Sequence, residues 1–279
     1  MTPTVAPIVD CQFLADHPEA VIADVRWYLD GRSGYDAFLA DHISGAVWVD
    51  LDSDLSCHDL AADEGRHPLP DPEHFAQAMS RLGIADESLV VAYDDAGGLS
   101  AGRLVVMLRM LGVNAALLNG GFAAWQDQQR TTDAGSAPAA MQGTTPGFTA
   151  RPFPTESLAN PLVDQAVLLD ARSRERFVGQ ANAVDPRPGH IPGARSAPWS
   201  AVLNPDGTFR SAQDLQSYFA ALGVTDETSS SAIAYCGSGV SACMNILAAE
   251  RAGFRPLRLY VASWSGWSAN PRNLVQTGE

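Results

Sequence analysis

Two stretches of the sequence nearly repeat each other: residues 20–26 read AVIADVR and residues 166–172 read AVLLDAR. In each copy, a short apolar run ends in an Asp-x-Arg motif. Three further pairs of segments follow in the same order, and all offsets lie between 142 and 148 residues: HISGA and HIPGA, SLVVAY and SAIAY, and GGFAAW and ASWSGW. Ordered self-similarity of this kind predicts two halves with the same fold.

Each half alternates short apolar runs with helical patterns, which indicates βαβ units and a largely parallel sheet. We therefore predict an α/β fold of two tandem domains, each with a mostly parallel sheet and helices on both faces. The segment between the halves is rich in Ala, Gly, Thr, Pro and Ser and lacks periodicity, which is typical of a linker. The predicted bounds are 1–130 for the first domain, 131–148 for the linker and 149–279 for the second domain.

The composition excludes several classes of function. All 18 basic residues of the 279 are arginine, so chemistry that needs a lysine amine, such as a Schiff base or a Walker P-loop, is excluded. The net charge of -14 argues against binding to nucleic acid or to an anionic membrane surface. The sequence shows no secretory signal, no membrane-length apolar run and no CxxC pair among its four cysteines, so we expect a cytoplasmic protein with reduced thiols.

Residues 236–241 read CGSGVS and lie between a predicted strand over 230–235 and a predicted helix over 242–251. Two glycines let such a loop turn its amide N–H groups inward, and the helix N-terminus adds positive potential. Both effects stabilise a thiolate, the nucleophilic form of cysteine, so Cys236 is the candidate nucleophile. The alternative is a buried cysteine that packs in a glycine-rich turn. The first half carries Asp94 at the equivalent position and is predicted to be catalytically silent.

These motifs together resemble the two-domain form of the rhodanese family of sulfurtransferases over nearly the whole chain. The family's marks are the Asp-x-Arg and His-Ile-x-Gly-Ala motifs, the cysteine loop and the segment SWSGW at 263–267. The loop is close to the CGSGVT of the 3-mercaptopyruvate branch, with Ser241 in place of threonine, whereas Gly266 stands where an acidic residue is common. The resemblance implies an enzyme without cofactor that takes sulfur from 3-mercaptopyruvate as a Cys236 persulfide, releases pyruvate, and passes the sulfur to a thiol or cyanide.

The resemblance also implies roles for further residues. Arg176 and Arg187 match the arginines that bind the donor's carboxylate, a task for which a planar guanidinium is suited. Proton transfer is assigned to Ser238, His67 and Asp52, with Asp50 as the alternative carboxylate. Arg172, inside the repeated Asp-x-Arg, is expected to be structural because the silent half keeps the same motif. The loop residues expected to surround the substrate are Gly237, Gly239, Val240 and Ser241.

Two other functions stay open at this point. Thiosulfate is the alternative donor, although thiosulfate-preferring relatives carry basic residues in the cysteine loop and this loop has none. A non-catalytic sensor of thiols or sulfide would need Cys236 but not Arg176, Arg187 and Ser238 together. The expected partners are a small-molecule sulfur donor and a small thiol or thioredoxin-like acceptor, and a tandem repeat favours a monomer.

Three other motifs suggest functions that the surrounding sequence does not support. Residues 98–102 read GLSAG, the pattern of a serine hydrolase, but Ser100 lies several residues past the predicted strand end at Tyr93. A cysteine phosphatase needs Cys-x5-Arg, and the sixth residue after Cys236 is Ala242. The histidines between residues 42 and 74 match no common zinc spacing, so we predict no metal.

Overall fold

The computed structural model describes residues 4–57, 60–135, 147–154, 166–181, 183–185 and 187–279. The chain divides into two compact units. The first unit comprises Met1–Ser56, Pro70–Phe153 and Pro205–Thr208, and the second comprises Cys57–Leu69, Pro154–Asn204 and Phe209–Glu279. Residues 57–69 therefore belong to the second unit although they come from the first half of the sequence. Most of the predicted linker lies outside the described residues, so the predicted domain bounds stay predictions.

The first unit is built on a five-stranded parallel sheet with the strand order β1-β6-β5-β2-β4. Strands β3 and β7 form a separate antiparallel pair. Successive residues of β5 point to opposite faces of the sheet, and Val90, Val91 and Ala92 are all fully buried, so both faces are covered. The strands are β1 (Ile8–Val9), β2 (Val21–Asp24), β3 (His42–Ile43), β4 (Val47–Trp48), β5 (Leu89–Tyr93), β6 (Asn114–Leu118) and β7 (Thr132–Asp133).

Five α-helices of this unit are α1 (Cys11–Asp16), α2 (Gly34–Ala40), α3 (Pro72–Arg81), α4 (Ala101–Met110) and α5 (Gly121–Asp127). Helix α3 shows why the sequence begins a helix where it does. The Asp71 side chain accepts the amide hydrogens of Glu73 and His74, and Pro72 occupies the first turn, where a missing N–H costs nothing.

The second unit has a four-stranded parallel sheet with the order β11-β10-β8-β9. Its strands are β8 (Leu168–Asp170), β9 (Arg195–Ser196), β10 (Ile233–Tyr235) and β11 (Arg258–Leu259), and its helices are α6 (Arg174–Phe177), α7 (Ala212–Ala221), α8 (Ala242–Arg251) and α9 (Ser263–Ala269). Two 3₁₀ turns cover Ala62–Glu64 and Trp199–Val202. The predicted α/β fold with parallel sheets is confirmed. Within the described ranges, no helix is long and apolar enough to cross a membrane.

The repeated Asp-x-Arg motif forms the same buried ion pair in both units. Arg26 Nη2 lies 2.6 Å from Asp24 Oδ2, and Arg172 Nη2 lies 2.6 Å from Asp170 Oδ2. Each guanidinium also covers an aromatic ring, at 4.7 Å from the centre of Phe122 for Arg26 and 4.6 Å from that of Trp264 for Arg172. These contacts support a structural role for the motif in both units.

In each unit, the repeated His-Ile-x-Gly-Ala motif contacts the end of the strand that precedes the loop at Asp94 or Cys236. The isoleucine amide donates to a buried tyrosine hydroxyl in each unit, from Ile43 to Tyr93 at 3.0 Å and from Ile191 to Tyr235 at 3.2 Å. Each tyrosine is the last residue of its strand, so this bond fixes the point from which the next loop starts. The motif's histidine is buried and hydrogen-bonded to a backbone carbonyl in each unit.

In the first unit, the loop after Tyr93 is occupied by the side-chain carboxylate of Asp94. Asp94 accepts the amide hydrogens of Ala96, Gly98, Ser100 and Ala101, with oxygen–nitrogen distances between 2.7 and 3.0 Å. Burial raises the pKa of the Asp94 carboxyl, and the four amides oppose that effect. Ser100 is buried, and its Oγ has no hydrogen-bond partner in the part of the chain that the structure describes, which disfavours a nucleophilic serine.

We predict that Asp94→Asn destabilises the protein by about 2–3 kcal/mol, because an amide NH₂ would face amide N–H groups that need an acceptor. The measurement is the urea dependence of unfolding, with Asp95→Asn as control. Asp95 is exposed and accepts one bond from Tyr28, which an asparagine oxygen can also accept. Equal midpoints for the two variants would contradict the assigned role of the Asp94 carboxylate.

Candidate active site

Cys236 follows β10 directly and lies at the carboxyl end of the parallel sheet, where ligands bind in folds of this kind. Its side chain is only 2% exposed, and its Sγ accepts the amide hydrogen of Gly239 at 3.2 Å. Gly239 has a φ of 77°, a conformation that favours glycine. At least one amide of the loop therefore points at the sulfur.

Ser263 holds the cysteine's own amide, a role that the sequence analysis missed. The Cys236 N–H donates to Ser263 Oγ at 3.1 Å, and the Cys236 carbonyl accepts the Trp264 amide at 2.9 Å. Ser263 has a φ of 52°, and the equivalent residue of the first unit is Gly121 with a φ of 57°. A serine in this unfavourable conformation is explained by the bond that its hydroxyl makes. The only sequence signal for this role is the position of Ser263 in the SWSGW segment.

Ser238 and His67 meet beside the cysteine. His67 Nδ1 lies 2.8 Å from Ser238 Oγ, and both side chains are buried. His67 reaches this place because residues 57–69 are part of the second unit. The structure thus brings together three residues that the sequence analysis places in one site: Cys236, Ser238 and His67.

Asp52, the predicted partner of His67, lies in the first unit. Its Oδ2 accepts the indole N–H of Trp27 at 2.9 Å. Both oxygens of the alternative, Asp50, bind within their own turn, to the Asp52 amide and to the Ser53 hydroxyl. Both carboxylates thus have hydrogen-bond partners within the first unit, and the pairing of Asp52 with His67, with Asp50 as the alternative, stays a prediction.

Arg176 is held at the loop by a buried carboxylate. Its Nε and Nη2 atoms donate to the two oxygens of Asp185 at 2.7 and 2.6 Å, and Asp185 also lies 3.4 Å from Arg172. The Asp185 side chain is 1% exposed and that of Arg176 is 25% exposed. A bidentate pair of this kind fixes the plane of the guanidinium and leaves Arg176 partly open to solvent.

Arg187 is placed differently from Arg176. Its guanidinium donates to three backbone carbonyls at and beyond the end of α9, those of Ser268, Asn270 and Asn273, at 3.0 to 3.3 Å. A cation at a helix C-terminus is stabilising, so these contacts describe a structural role. The contact between Arg187 and substrate stays a prediction, as do the substrate contacts of Gly237, Val240 and Ser241.

A second guanidinium at the loop belongs to Arg66, which the sequence analysis did not single out. A Cβ atom on Gly237 would lie 2.9 Å from Nη2 of Arg176 and 3.0 Å from Nη2 of Arg66. The two cations thus converge over one point of the loop. Partial desolvation lowers the pKa of the Arg66 guanidinium. The nearby Asp185 carboxylate opposes this effect, and repulsion from Arg176 adds to it. The position of Arg66 directly before His67 is the only sequence signal for it.

Comparisons with known proteins agree on one family. The family model described as "Rhodanese-like domain" matches residues 11–128 and 155–270. A probable 3-mercaptopyruvate sulfurtransferase of Pseudomonas aeruginosa is 36% identical over 98% of this chain and 99% of that protein. A putative thiosulfate sulfurtransferase, SseB, of Mycobacterium tuberculosis is 35% identical over 92% of this chain and 90% of that protein.

A solved structure supports the same family assignment. The 3-mercaptopyruvate sulfurtransferase from Leishmania major superposes with a TM-score of 0.82 at 32% identity, over 96% of this chain and 76% of that one. Because the family model covers most of both halves and the relatives align over nearly the full length, the chain belongs to the rhodanese family and carries two rhodanese-like domains in tandem.

Proposed function

We propose that the protein is a sulfurtransferase that takes the sulfur of 3-mercaptopyruvate onto Cys236 as a persulfide and passes it to a thiol. The names of its relatives support this donor, since a protein 36% identical to it is described as a probable 3-mercaptopyruvate sulfurtransferase. The observation that carries the proposal is the contrast between the two loops that follow Tyr93 and Tyr235. One loop is filled by a carboxylate and the other by a thiol.

The Asp94 loop of the first unit suggests which charged group the Cys236 loop can hold. In the first unit, the terminal oxygens of Asp94 are the second atoms beyond Cβ, and four amides donate to them. In a cysteine persulfide, the outer sulfur is also the second atom beyond Cβ. A persulfide anion on Cys236 would therefore place its charge at a similar depth in the equivalent loop, where the Gly239 amide already donates to the cysteine sulfur.

In the first half-reaction, the Cys236 thiolate attacks the sulfur of 3-mercaptopyruvate. The new S–S bond forms as the C–S bond breaks, and the electron pair of the C–S bond leaves on carbon as the enolate of pyruvate. That carbon must gain a proton to give pyruvate. No cofactor is needed, because the electrons pass only between sulfur and carbon.

We assign the supply of that proton to Ser238 and His67. The Ser238 hydroxyl lies 2.8 Å from the His67 ring nitrogen, so the serine can donate its proton while the histidine replaces it. In this scheme Asp52 orients the histidine, as carboxylates do in catalytic triads. Serine thus acts as a proton donor, and the nucleophile is Cys236.

Arg176 is the residue we assign to the donor's carboxylate, with Arg187 as a second contact. The Asp185 carboxylate holds Arg176 through Nε and Nη2. In the part of the chain that the structure describes, its Nη1 atom has no acceptor, so it can donate to the substrate. Charge-assisted hydrogen bonds of this kind are about twice as strong as neutral ones.

In the second half-reaction, an acceptor thiolate attacks the outer sulfur of the persulfide. The S–S bond breaks, the Cys236 thiolate is regenerated, and the acceptor leaves as its own persulfide; with cyanide the product is thiocyanate. Donor and acceptor alternate, so ping-pong kinetics are expected. We propose a small thiol or a thioredoxin-like protein as acceptor, and a monomer in the cytoplasm, where the four cysteines remain free thiols.

Thiosulfate is the second candidate donor, and the relative from Mycobacterium tuberculosis described as a putative thiosulfate sulfurtransferase favours it. The sensing module is a weaker alternative. A sensor has no need of a hydrogen-bonded Ser238–His67 pair beside its cysteine.

We predict that Cys236→Ser lowers turnover of 3-mercaptopyruvate by about 10³-fold or more, because the nucleophile is lost. Pyruvate release is the assay, and intact-protein mass spectrometry should show one added sulfur atom on the wild type alone. Cys236→Asp is a matched variant. It should be equally inactive but melt at a higher temperature than Cys236→Ser, since its carboxylate can accept the loop amides as Asp94 does. Sulfur loading of Cys236→Ser would contradict the proposal.

We predict that Ser238→Ala lowers kcat for 3-mercaptopyruvate by about 10²-fold, the usual scale of one general acid. Turnover of thiosulfate by the same variant should change little, because sulfite leaves without protonation at carbon. Steady-state kinetics with the two donors test this, and thiosulfate serves as the internal control. Equal losses with both donors would assign Ser238 to loop structure instead of proton transfer.

A further inference from the structure

We propose that Ser265 is a positioning residue for proton transfer, because it holds the cysteine loop and the segment that carries His67 in one register. We call residues 57–69 the His67 segment. This inference rests on the proposed function for the role of the Ser238–His67 pair. Its contacts lie within the second unit, to which the His67 segment and the whole of α9 belong.

The backbone of α9 binds the cysteine loop at the start of the helix. The Trp264 amide donates to the Cys236 carbonyl at 2.9 Å, and the Ser265 amide donates to the Gly237 carbonyl at 2.9 Å. The first N–H groups of a helix have no partner within the helix, so the loop carbonyls satisfy them. The bond from Ser265 therefore fixes the residue that directly precedes Ser238.

The side chain of Ser265 binds the His67 segment. Its Oγ accepts the Arg66 amide at 3.0 Å and donates to the Ala262 carbonyl, three residues earlier in the chain, at 3.2 Å. Because the single hydroxyl proton is directed to Ala262, the lone pairs of the oxygen are left for the Arg66 amide. This bond fixes the residue that directly precedes His67.

One residue therefore holds the backbone next to both members of the Ser238–His67 pair. The pair is short, at 2.8 Å from Nδ1 to Oγ, and both side chains are buried. Hydrogen bonds weaken steeply when donor and acceptor are misaligned. A small displacement of either backbone would thus open the bond through which the histidine replaces the serine's proton.

Two glycines let the His67 segment approach α9 closely enough for this bond. A Cβ atom on Gly266 would overlap the Asp63 carbonyl oxygen. A Cβ atom on Gly65 would lie 2.5 Å from the Ala262 carbonyl oxygen, and Gly65 has a φ of 90°. Gly266 is the position at which the family commonly carries an acid. That departure is explained by the Asp63 backbone, which takes up the space a side chain would need.

The first unit provides an internal comparison. The repeated segments GGFAAW and ASWSGW align Ala123 with Ser265 and Ala124 with Gly266. Ala123 is exposed, whereas Ser265 is half-buried under the His67 segment. The unit predicted to be silent thus has a methyl group at both positions. The hydroxyl and the missing side chain belong to the unit in which a second segment packs on this helix.

The first test needs no sulfur transfer and so stands even if the proposed function fails. The nitrogen chemical shift of His67 Nδ1 reports its bond to Ser238, and proton–nitrogen correlation spectra of the histidine rings measure it, with His67→Gln to assign the signal. We expect Ser265→Ala to shift this resonance in the same direction as Ser238→Ala. Arg66 is exposed, so water can replace the lost acceptor and the variant should fold.

Two further variants make this test specific. Ser265→Thr should leave the His67 resonance unchanged, because a threonine hydroxyl can make the same two bonds from a helix. Ser268→Ala is the matched control, since Ser268 lies one turn later in α9 and its hydroxyl contacts the Ser265 carbonyl at 3.5 Å. A resonance that stays in place in Ser265→Ala, or that moves equally in Ser268→Ala, overturns the proposal.

The second test uses the two donors. We expect Ser265→Ala to lower kcat for 3-mercaptopyruvate about tenfold, because a misplaced proton donor slows the chemical step. KM should change little, since the Arg66 guanidinium keeps its bond to the Val184 carbonyl at 3.0 Å. Turnover of thiosulfate should fall less than that of 3-mercaptopyruvate, because sulfite leaves without protonation at carbon. Equal losses of kcat with both donors would overturn the assignment of Ser265 to proton transfer.

A double-mutant cycle tests whether Ser265 acts through Ser238. In the Ser238→Ala background, Ser265→Ala should lower turnover of 3-mercaptopyruvate no further, because the two changes act on one hydrogen bond. Additive losses would contradict the proposal. If the wild type does not turn over 3-mercaptopyruvate, the proposed function fails, and the His67 resonance still decides whether Ser265 positions the pair.

Gly266→Ala tests the same packing from the backbone side. Alanine has the higher helix propensity, so the substitution favours α9 itself. The Asp63 carbonyl must nevertheless move away from the new methyl group and take the His67 segment with it. We expect the His67 resonance to shift as it does in Ser265→Ala. An unmoved resonance in Gly266→Ala would show that the packing of this segment on α9 does not set the Ser238–His67 bond.

Discussion

A loop that turns several amide N–H groups inward at the carboxyl end of a parallel sheet requires a negative charge or an acceptor at its centre, because buried donors without partners are costly. The first unit meets this requirement with Asp94, whose carboxylate accepts four amides. The second unit leaves the centre to the Cys236 sulfur, which accepts the Gly239 amide. The same local constraint is thus met by a carboxylate in one unit and by a thiol in the other.

The scaffold beneath the two loops shares several buried contacts. In both units a buried Asp–Arg pair covers an aromatic ring, and a tyrosine at the strand end binds the amide of an isoleucine. One difference appears at the first residues of α5 and α9. Gly121 stands there in the first unit, and Ser263, whose hydroxyl holds the Cys236 amide, stands there in the second.

The sequence was sufficient to predict the α/β fold, because repeated motifs and alternating apolar runs are local signals. It also identified Cys236, Ser238 and His67, which the structure brings together. Arg66 and Ser263 were missed, since their roles depend on close backbone approaches between segments distant in sequence. For Arg187, the structure adds contacts with the carbonyls at the end of α9 that its motif does not predict, and its contact with substrate stays a prediction. Sequence motifs therefore identify candidate site residues, whereas the contacts of each side chain depend on tertiary packing.

The membership of residues 57–69 in the second unit has an evolutionary consequence. A duplicated domain would be expected to yield two self-sufficient copies, each free to diverge or to be lost. In this chain the later half of the gene encodes the cysteine loop, whereas Arg66 and His67 are encoded in the earlier half. Deleting or exchanging the earlier half would therefore remove two residues that lie at the cysteine loop, and selection on that loop extends to the half of the gene that encodes them.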